Sequence, residues 1–317
     1  MLLSALLMGC GESERSAPAV PVQPPPTELT ESAEFSGDNA YVHCAAFCAL
    51  GPRPTGSEAY ARQVSYITKH LEQAGWQVLV QHFTPLPQHP MQNVHATFGK
   101  KEGVRPLLIS CHIDTKGQGK DAILGADDGA SGAAVLLELA RVLAATPELA
   151  EGVELVFFDG EESFARRMTD RDGLYGSKYD VRRRGADLPR YMVNLDMVGG
   201  AGKVIGVPVF DTTEGMCEQY DRAVRALGYS EDRWTIYPGS YMDDVQPFLE
   251  AGVETLNLIA FFSHSDWWHT AKDDMSRISP TSLKESGFMV MQLIRQLLPV
   301  AASESPDKTL EDSQEKK

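Results

Sequence analysis

Five short segments of this 317-residue chain carry side chains that bind hard or borderline metal ions. CHIDT supplies His112 and Asp114, and GADDGASG supplies Asp127 and Asp128. FFDGEES supplies Glu161 and Glu162, NLDMVG supplies Asp196, and WWHT supplies His269. Zinc (Zn2+) takes these groups, imidazole nitrogen and carboxylate oxygen, in a near-tetrahedral shell that keeps one position open for chemistry. No Cys pair accompanies them, which argues against a structural zinc site. The chain has neither a Gly-rich loop ending in Lys nor a G-x-S-x-G turn, so nucleotide-phosphate and serine-hydrolase chemistry are disfavoured.

The adjacent pair Glu161–Glu162 is informative. Two carboxylates side by side repel unless a cation or a proton relieves them. A metal on one leaves the other free as a proton carrier beside it. Acids also gather at helix N-termini. Here, however, the pair follows a strand-like run and stands with four other ligand-bearing segments.

The elements that must position these residues are read from apolar patterning. Residues 39–50, 57–74, 131–144, 214–227, 245–251 and 283–298 read as helices, with Gly75 as a stop after the second. Residues 76–83, 93–99 and 254–260 read as strands. Residues 106–113, 153–159 and 191–196 are nearly continuous apolar runs, as in strands buried on both faces. Alternation of this kind predicts an α/β fold: a mixed, largely parallel central sheet covered by helices on both faces. Asp114, Glu161, Glu162 and Asp196 then fall at C-terminal strand ends, the edge where open α/β sheets bind ligands.

Composition sets outer limits. Hydrophobic residues at 43% and charged residues at 23% are those of a globular protein. With 44 acidic against 29 basic residues, the net charge of -15 excludes nucleic acid as an expected partner. No apolar run reaches the roughly 20 residues of a spanning helix, and five cysteines are too few for a disulfide scaffold. Residues 1–10 end in LLMGC, which resembles the lipobox of bacterial lipoproteins, with Cys10 as the lipidated residue after processing. The expectation is a membrane-anchored lipoprotein of the bacterial cell envelope, facing the periplasm or the exterior. Residues 11–34 read as a Pro-rich linker, 35–300 as one catalytic domain and 301–317 as a charged, disordered tail. A monomer is expected.

Taken in order, H-x-D, G-A-D-D-G-A-S-G, D-G-E-E, N-L-D and W-H-T resemble the zinc aminopeptidase-type exopeptidase superfamily. LGPRPTGSEAYARQ, GLYGS, DDVQPFLEAGV and WHTAKDD are similar to its glutaminyl cyclase branch, the animal-type glutaminyl-peptide cyclotransferases also found in bacteria. The resemblance spans residues 50–298 and implies the three-layer sandwich of the zinc exopeptidases and phosphorylase/hydrolase-like folds. It implies one zinc on Asp128, Glu162 and His269, Glu161 as general acid/base, Asp196 and Asp243 near the substrate amine, and Trp268 as a pocket wall. His112 and Asp114 match a metal-site element of the aminopeptidases and stand as second-metal or supporting residues. Where animal cyclases often carry a Trp after the Glu pair, this chain has Arg166 and Arg167. Animal enzymes often pair the Cys before H-x-D, but Cys111 has no partner nearby in sequence, so that disulfide is expected to be absent.

Two enzymes fit this inventory. A two-zinc aminopeptidase would use His112, Asp128 and Asp196 for a second metal, and ligand count alone does not decide. Trp268 before His269, the long stretch between Glu162 and Leu174, and Asp243 in place of a Ser favour the cyclase, which acts on peptide or protein N-termini. If Asp243 lies beside Asp196, the two share a proton and Asp196 becomes a poor zinc ligand. A non-catalytic binding protein on the same fold is the third reading. His43, His70, His82, His89 and His95 are expected in surface or core roles, His264 at the rim, and Arg182–Arg184 as a solvated charge run.

Overall fold

A computed structural model describes residues 25–260 and 266–298. The expectations for residues 1–24 and 299–317, and for His264, lie outside the described residues.

The helices are α1 (Gly37–Ala49), α2 (Glu58–Gln73), α3 (Ala130–Ala144), α4 (Pro147–Ala150), α5 (Tyr175–Arg184), α6 (Glu214–Leu227), α7 (Val245–Glu250) and α8 (Pro280–Leu297). The strands are β1 (Gln77–Leu86), β2 (His89–Thr97), β3 (Leu107–His112), β4 (Val153–Phe158), β5 (Tyr191–Asp196), β6 (Ile205–Pro208), β7 (Trp234–Tyr237) and β8 (Glu254–Ile259). They form an eight-stranded sheet in the order β1-β2-β4-β3-β5-β8-β6-β7. The central strands β4, β3, β5 and β8 run parallel, while β1, β2 and β4 pair antiparallel and β6 meets β8 antiparallel. The mixed, largely parallel sheet is as expected.

Side chains alternate between two cores. On β3, Leu107, Ile109 and Cys111 face the larger core, under α1, α3 and α8, whereas Leu108 faces the smaller one, under α7. Phe157 and Phe158 of β4 divide in the same way. Both strand faces are therefore covered, which is why their sequences lack polar alternation. Helix α3 is buried at 13 of its 15 residues. Its Gly132 rests on the sheet, where a Cβ would stand 2.7 Å from the Leu195 carbonyl oxygen. Small residues at that end let the helix approach the strand tips that carry the acids.

Three of the eight described helices start at side-chain caps. Ser36, Ser57 and Ser279 accept from the N–H groups of Asn39, Tyr60 and Ser282. Helix α8 starts before the expected 283 because Pro280, with no N–H to lose, fits the first turn. The linker is docked at its end: Asn39 donates to the Thr30 carbonyl (2.9 Å) and Arg141 to the Ser32 carbonyl (2.6 Å). Four elements carry no periodic signal, the four-residue α4 among them. The short β6 and β7 lie at one edge of the sheet, and α5 is nearly all polar.

Helix α5 also corrects the reading of Arg182–Arg184. Arg182 and Arg183 are exposed, but Arg184 pairs with Asp180 and Glu154 (2.7 Å each). His95 Nδ1 lies 2.9 Å from the same Glu154. Burial raises the Glu154 pKa, but His95 and Arg184 outweigh it and bring it down to about 2, from an ordinary 4.5. A depressed carboxylate stabilises the fold above its unfolded pKa and loses that contribution as pH falls through the folded one. The stability difference between the wild type and Glu154→Gln should therefore shrink as pH falls from about 4.5 towards about 2. Denaturant melts across that range should show about 2 kcal/mol disappearing; a constant difference would contradict this assignment.

Candidate active site

The chain leaves β3 for β4 on one side and later returns with β5 on the other. The crevice at the C-terminal ends of these strands is the switch point where α/β sheets bind ligands. The ligand-bearing segments converge there, each held by its backbone. Asp114 is not aimed at a metal position. Its two oxygens accept from the N–H groups of Glu161 and Glu162, both at 3.1 Å. Asp273 does the same for the Asp127 and Asp128 N–H groups, at 2.7 and 3.1 Å. One buried carboxylate thus fixes each acidic pair. Burial first, then the charges of Asp127 and Asp128, push the Asp273 pKa up to about 7. Gly129 follows with φ +97°, and a Cβ there would sit 2.8 Å from the Asp114 carbonyl oxygen, so the turn into α3 requires glycine.

Asp127 faces away from the ligand group. It pairs with buried Lys203 (2.8 Å) and accepts from the Gly199 N–H (2.9 Å). The Trp267 indole N–H also reaches it at 3.4 Å, and the Lys203 ammonium lies 4.2 Å from the Trp267 ring centroid. This clamp ties the segment before His269, itself at φ +53°, to the Asp128 loop. A Lys203→Met substitution should weaken metal affinity about 10- to 100-fold while every ligand remains, a loss typical of supporting residues. Competition against a zinc-binding dye measures it; unchanged affinity would refute the clamp.

Two groups of possible ligand atoms share Asp128. In one, His269 Nε2 lies 3.0 Å from Glu162 Oε1 and 3.4 Å from Asp128 Oδ2. In the other, His112 Nε2 lies 3.2 Å from Asp128 Oδ1 and 3.3 Å from Asp196 Oδ1. Within each group the ligand atoms lie inside 4.8 Å of one another, as a shared cation requires. Asp128 Oδ2 is buried without a hydrogen-bond partner, so the donor set fits a metal ion. Lys116 Nζ contacts Glu162 Oε2 at 3.2 Å and donates to the Ser163 carbonyl and hydroxyl.

Only the first of these groups opens fully on the adjoining cavity. This cavity of about 240 Å³ is lined by Asp128, Glu161, Glu162, Asp196, Trp268 and His269, among others, but not by His112. Trp268 stacks on the His269 ring at 3.9 Å. The Glu161 carboxyl makes no hydrogen bond among the described residues. Burial first, then Glu162, Asp244 and Asp243 against the opposing pull of His112, raise its pKa well above the usual range.

Asp243 lies close enough to Asp196 to feel its charge. Asp243 accepts from Asn194 (2.9 Å), Asn257 (2.8 Å) and the Asp244 N–H (2.6 Å). Burial and the Asp196 charge push its pKa up to about 7. Among the described residues Cys111 is buried and free.

A sequence model of peptidase family M28 matches residues 93–294. The chain belongs to peptidase family M28. Within that family it falls in the glutaminyl-cyclase branch. This M28 protein is 30% identical over 276 residues to a glutaminyl-peptide cyclotransferase of Bothrops jararaca, covering 73% of each chain. It superposes on a Porphyromonas gingivalis glutaminyl cyclase with a TM-score of 0.75 and 27% identity, covering 83% of this chain and 98% of the other. It is also 32% identical over 177 residues to the aminopeptidase YwaD of Bacillus subtilis (strain 168), covering 52% of this chain and 36% of that one. The expected three-layer α/β sandwich is the fold of this M28 protein. Lys203, Trp267 and Asp273 were missed as supporting residues. Asp273 and Trp267 each lay in a quoted segment, WHTAKDD and WWHT, whereas Lys203 lay in none.

Proposed function

We propose that this chain is a zinc-dependent glutaminyl-peptide cyclotransferase, converting the N-terminal Gln of peptides or proteins to pyroglutamate and releasing ammonia. The observation that carries this reading is one cavity joining Glu161, the Asp128–Glu162–His269 group and the Trp268 ring. It lies in a fold covering 98% of a bacterial glutaminyl cyclase.

A zinc held by Asp128, Glu162 and His269 would supply Lewis-acid polarisation of the substrate's γ-carbonyl. Trp268 offers a flat wall for the Gln side chain, and Asp196 offers an acceptor to the α-amine. That amine attacks the carbonyl carbon of the γ-carboxamide, Cδ; a C–N bond forms there and the bond from that carbon to the side-chain nitrogen breaks. Glu161 takes the proton from the attacking amine and delivers it to the leaving nitrogen, which departs as ammonia. Asp243, held by two Asn amides off the cavity lining, acts as a positioning residue through its charge on Asp196.

One zinc per chain is the reading the cavity favours, because His112 belongs to the inner group and does not reach the lining. The two-zinc aminopeptidase remains the second reading, since the His112–Asp128–Asp196 group is compact. Mass spectrometry of a Gln-initiated peptide, together with metal analysis, tests the choice. The cyclase keeps the peptide's length, removes the mass of one ammonia and carries one zinc. A shortened peptide and two zinc ions per chain would overturn it.

A further inference from the structure

We propose that Arg166 and Arg167 select peptide substrates by charge, favouring an acidic residue just after the N-terminal Gln. This proposal rests on reading the site as a glutaminyl cyclase. The cavity is electrostatically divided. Its buried floor carries Asp128, Glu161 and Glu162, whereas both arginines line it from an exposed loop. Neither arginine has an ion-pair partner among the described residues. In a chain of net charge -15, two unpaired guanidiniums at the mouth of the site run against the overall sign.

The loop that carries them is held in place. Asp172 accepts from the N–H groups of Phe164 (2.9 Å) and Ala165 (2.8 Å). Thr169 and Asp172 exchange backbone hydrogen bonds, both at 3.0 Å. Lys178 donates to the carbonyls of Asp170 and Gly173, also at 3.0 Å. Asp170 is on this loop but does not line the cavity. With the Gln at the floor, the following residues leave past the arginines. A carboxylate there gains their attraction, and an ammonium meets their repulsion.

The test compares peptides of equal length beginning Gln-Glu, Gln-Gly and Gln-Lys, measured by ammonia release with the full chain. At low salt, kcat/KM should fall in that order, with about a tenfold span between Glu and Lys, carried mostly by KM. Salt should compress the span, since exposed charges are screened. The double variant Arg166→Gln/Arg167→Gln should bring the three peptides together. A wild-type span near one, or a span that survives in the double variant, overturns the charge selection alone. Absence of ammonia from all three peptides overturns the cyclase reading and this inference with it.

Discussion

Replacing Glu161 with Gln should leave the metal in place and lower kcat about 100- to 10,000-fold, the range a positioned general acid/base contributes. The substitution keeps the size and removes only the proton carrier. Glu161 offers its backbone N–H, not its carboxyl, to Asp114, so the brace on the pair survives. Zinc content measured beside the kinetics separates this from a ligand loss, and full activity in Glu161→Gln would remove Glu161 from the proton path. The neighbouring Glu162 should behave differently, because its carboxylate meets His269 and Lys116.

Asp128→Ala should abolish both metal binding and turnover. Asp128 is the one residue common to both possible ligand groups, so among the described residues no alternative set of three survives its loss. The readout need not be activity. A metal that binds only the folded state raises the melting temperature by mass action. Added zinc should raise that of the wild type and not that of Asp128→Ala. A zinc-dependent rise in the variant equal to that of the wild type would show that the metal is held elsewhere.

The strands that present the acids are legible because they are buried on both faces. The run at β5 has bounds identical to those of the strand, 191–196. At β3 and β4 the reading overshoots by a residue or so at the ends, where side chains turn from core to site. Helix α5 escapes because its stabilisation comes from Arg184 meeting Glu154 on β4 and Asp180 meeting His95 on β2, and no periodicity records contacts with strands so distant in sequence. The site divides in the same manner. Residue type and motif order mark Asp128, Glu161, Glu162 and His269, and the place of Glu161 and Glu162 after an apolar strand strengthens their part. They do not distinguish Asp114 and Asp127 from ligands. Which way a carboxylate points depends on the loop that crosses it: Asp114 turns to the Glu161–Glu162 backbone, and Asp127 to Lys203. Lys203 lies outside every motif, because a buried cation that steadies an acid needs only proximity in space.

The most direct measurement sets one peptide beginning with Gln against one beginning with Leu, with the same remaining sequence, and follows ammonia and free amino acid together. The cyclase attacks a side-chain amide with the substrate's own amine, so the Gln peptide should release ammonia and keep its length. The Leu peptide has no γ-carboxamide and should remain intact over the same time. Proximity favours the internal amine over water for ring closure. Both candidate enzymes depend on Glu161 and the metal, so the products, not the variants, separate them. Ammonia from the Gln peptide without free leucine is the predicted result; free leucine at a rate comparable to ammonia release would contradict the cyclase and identify an aminopeptidase.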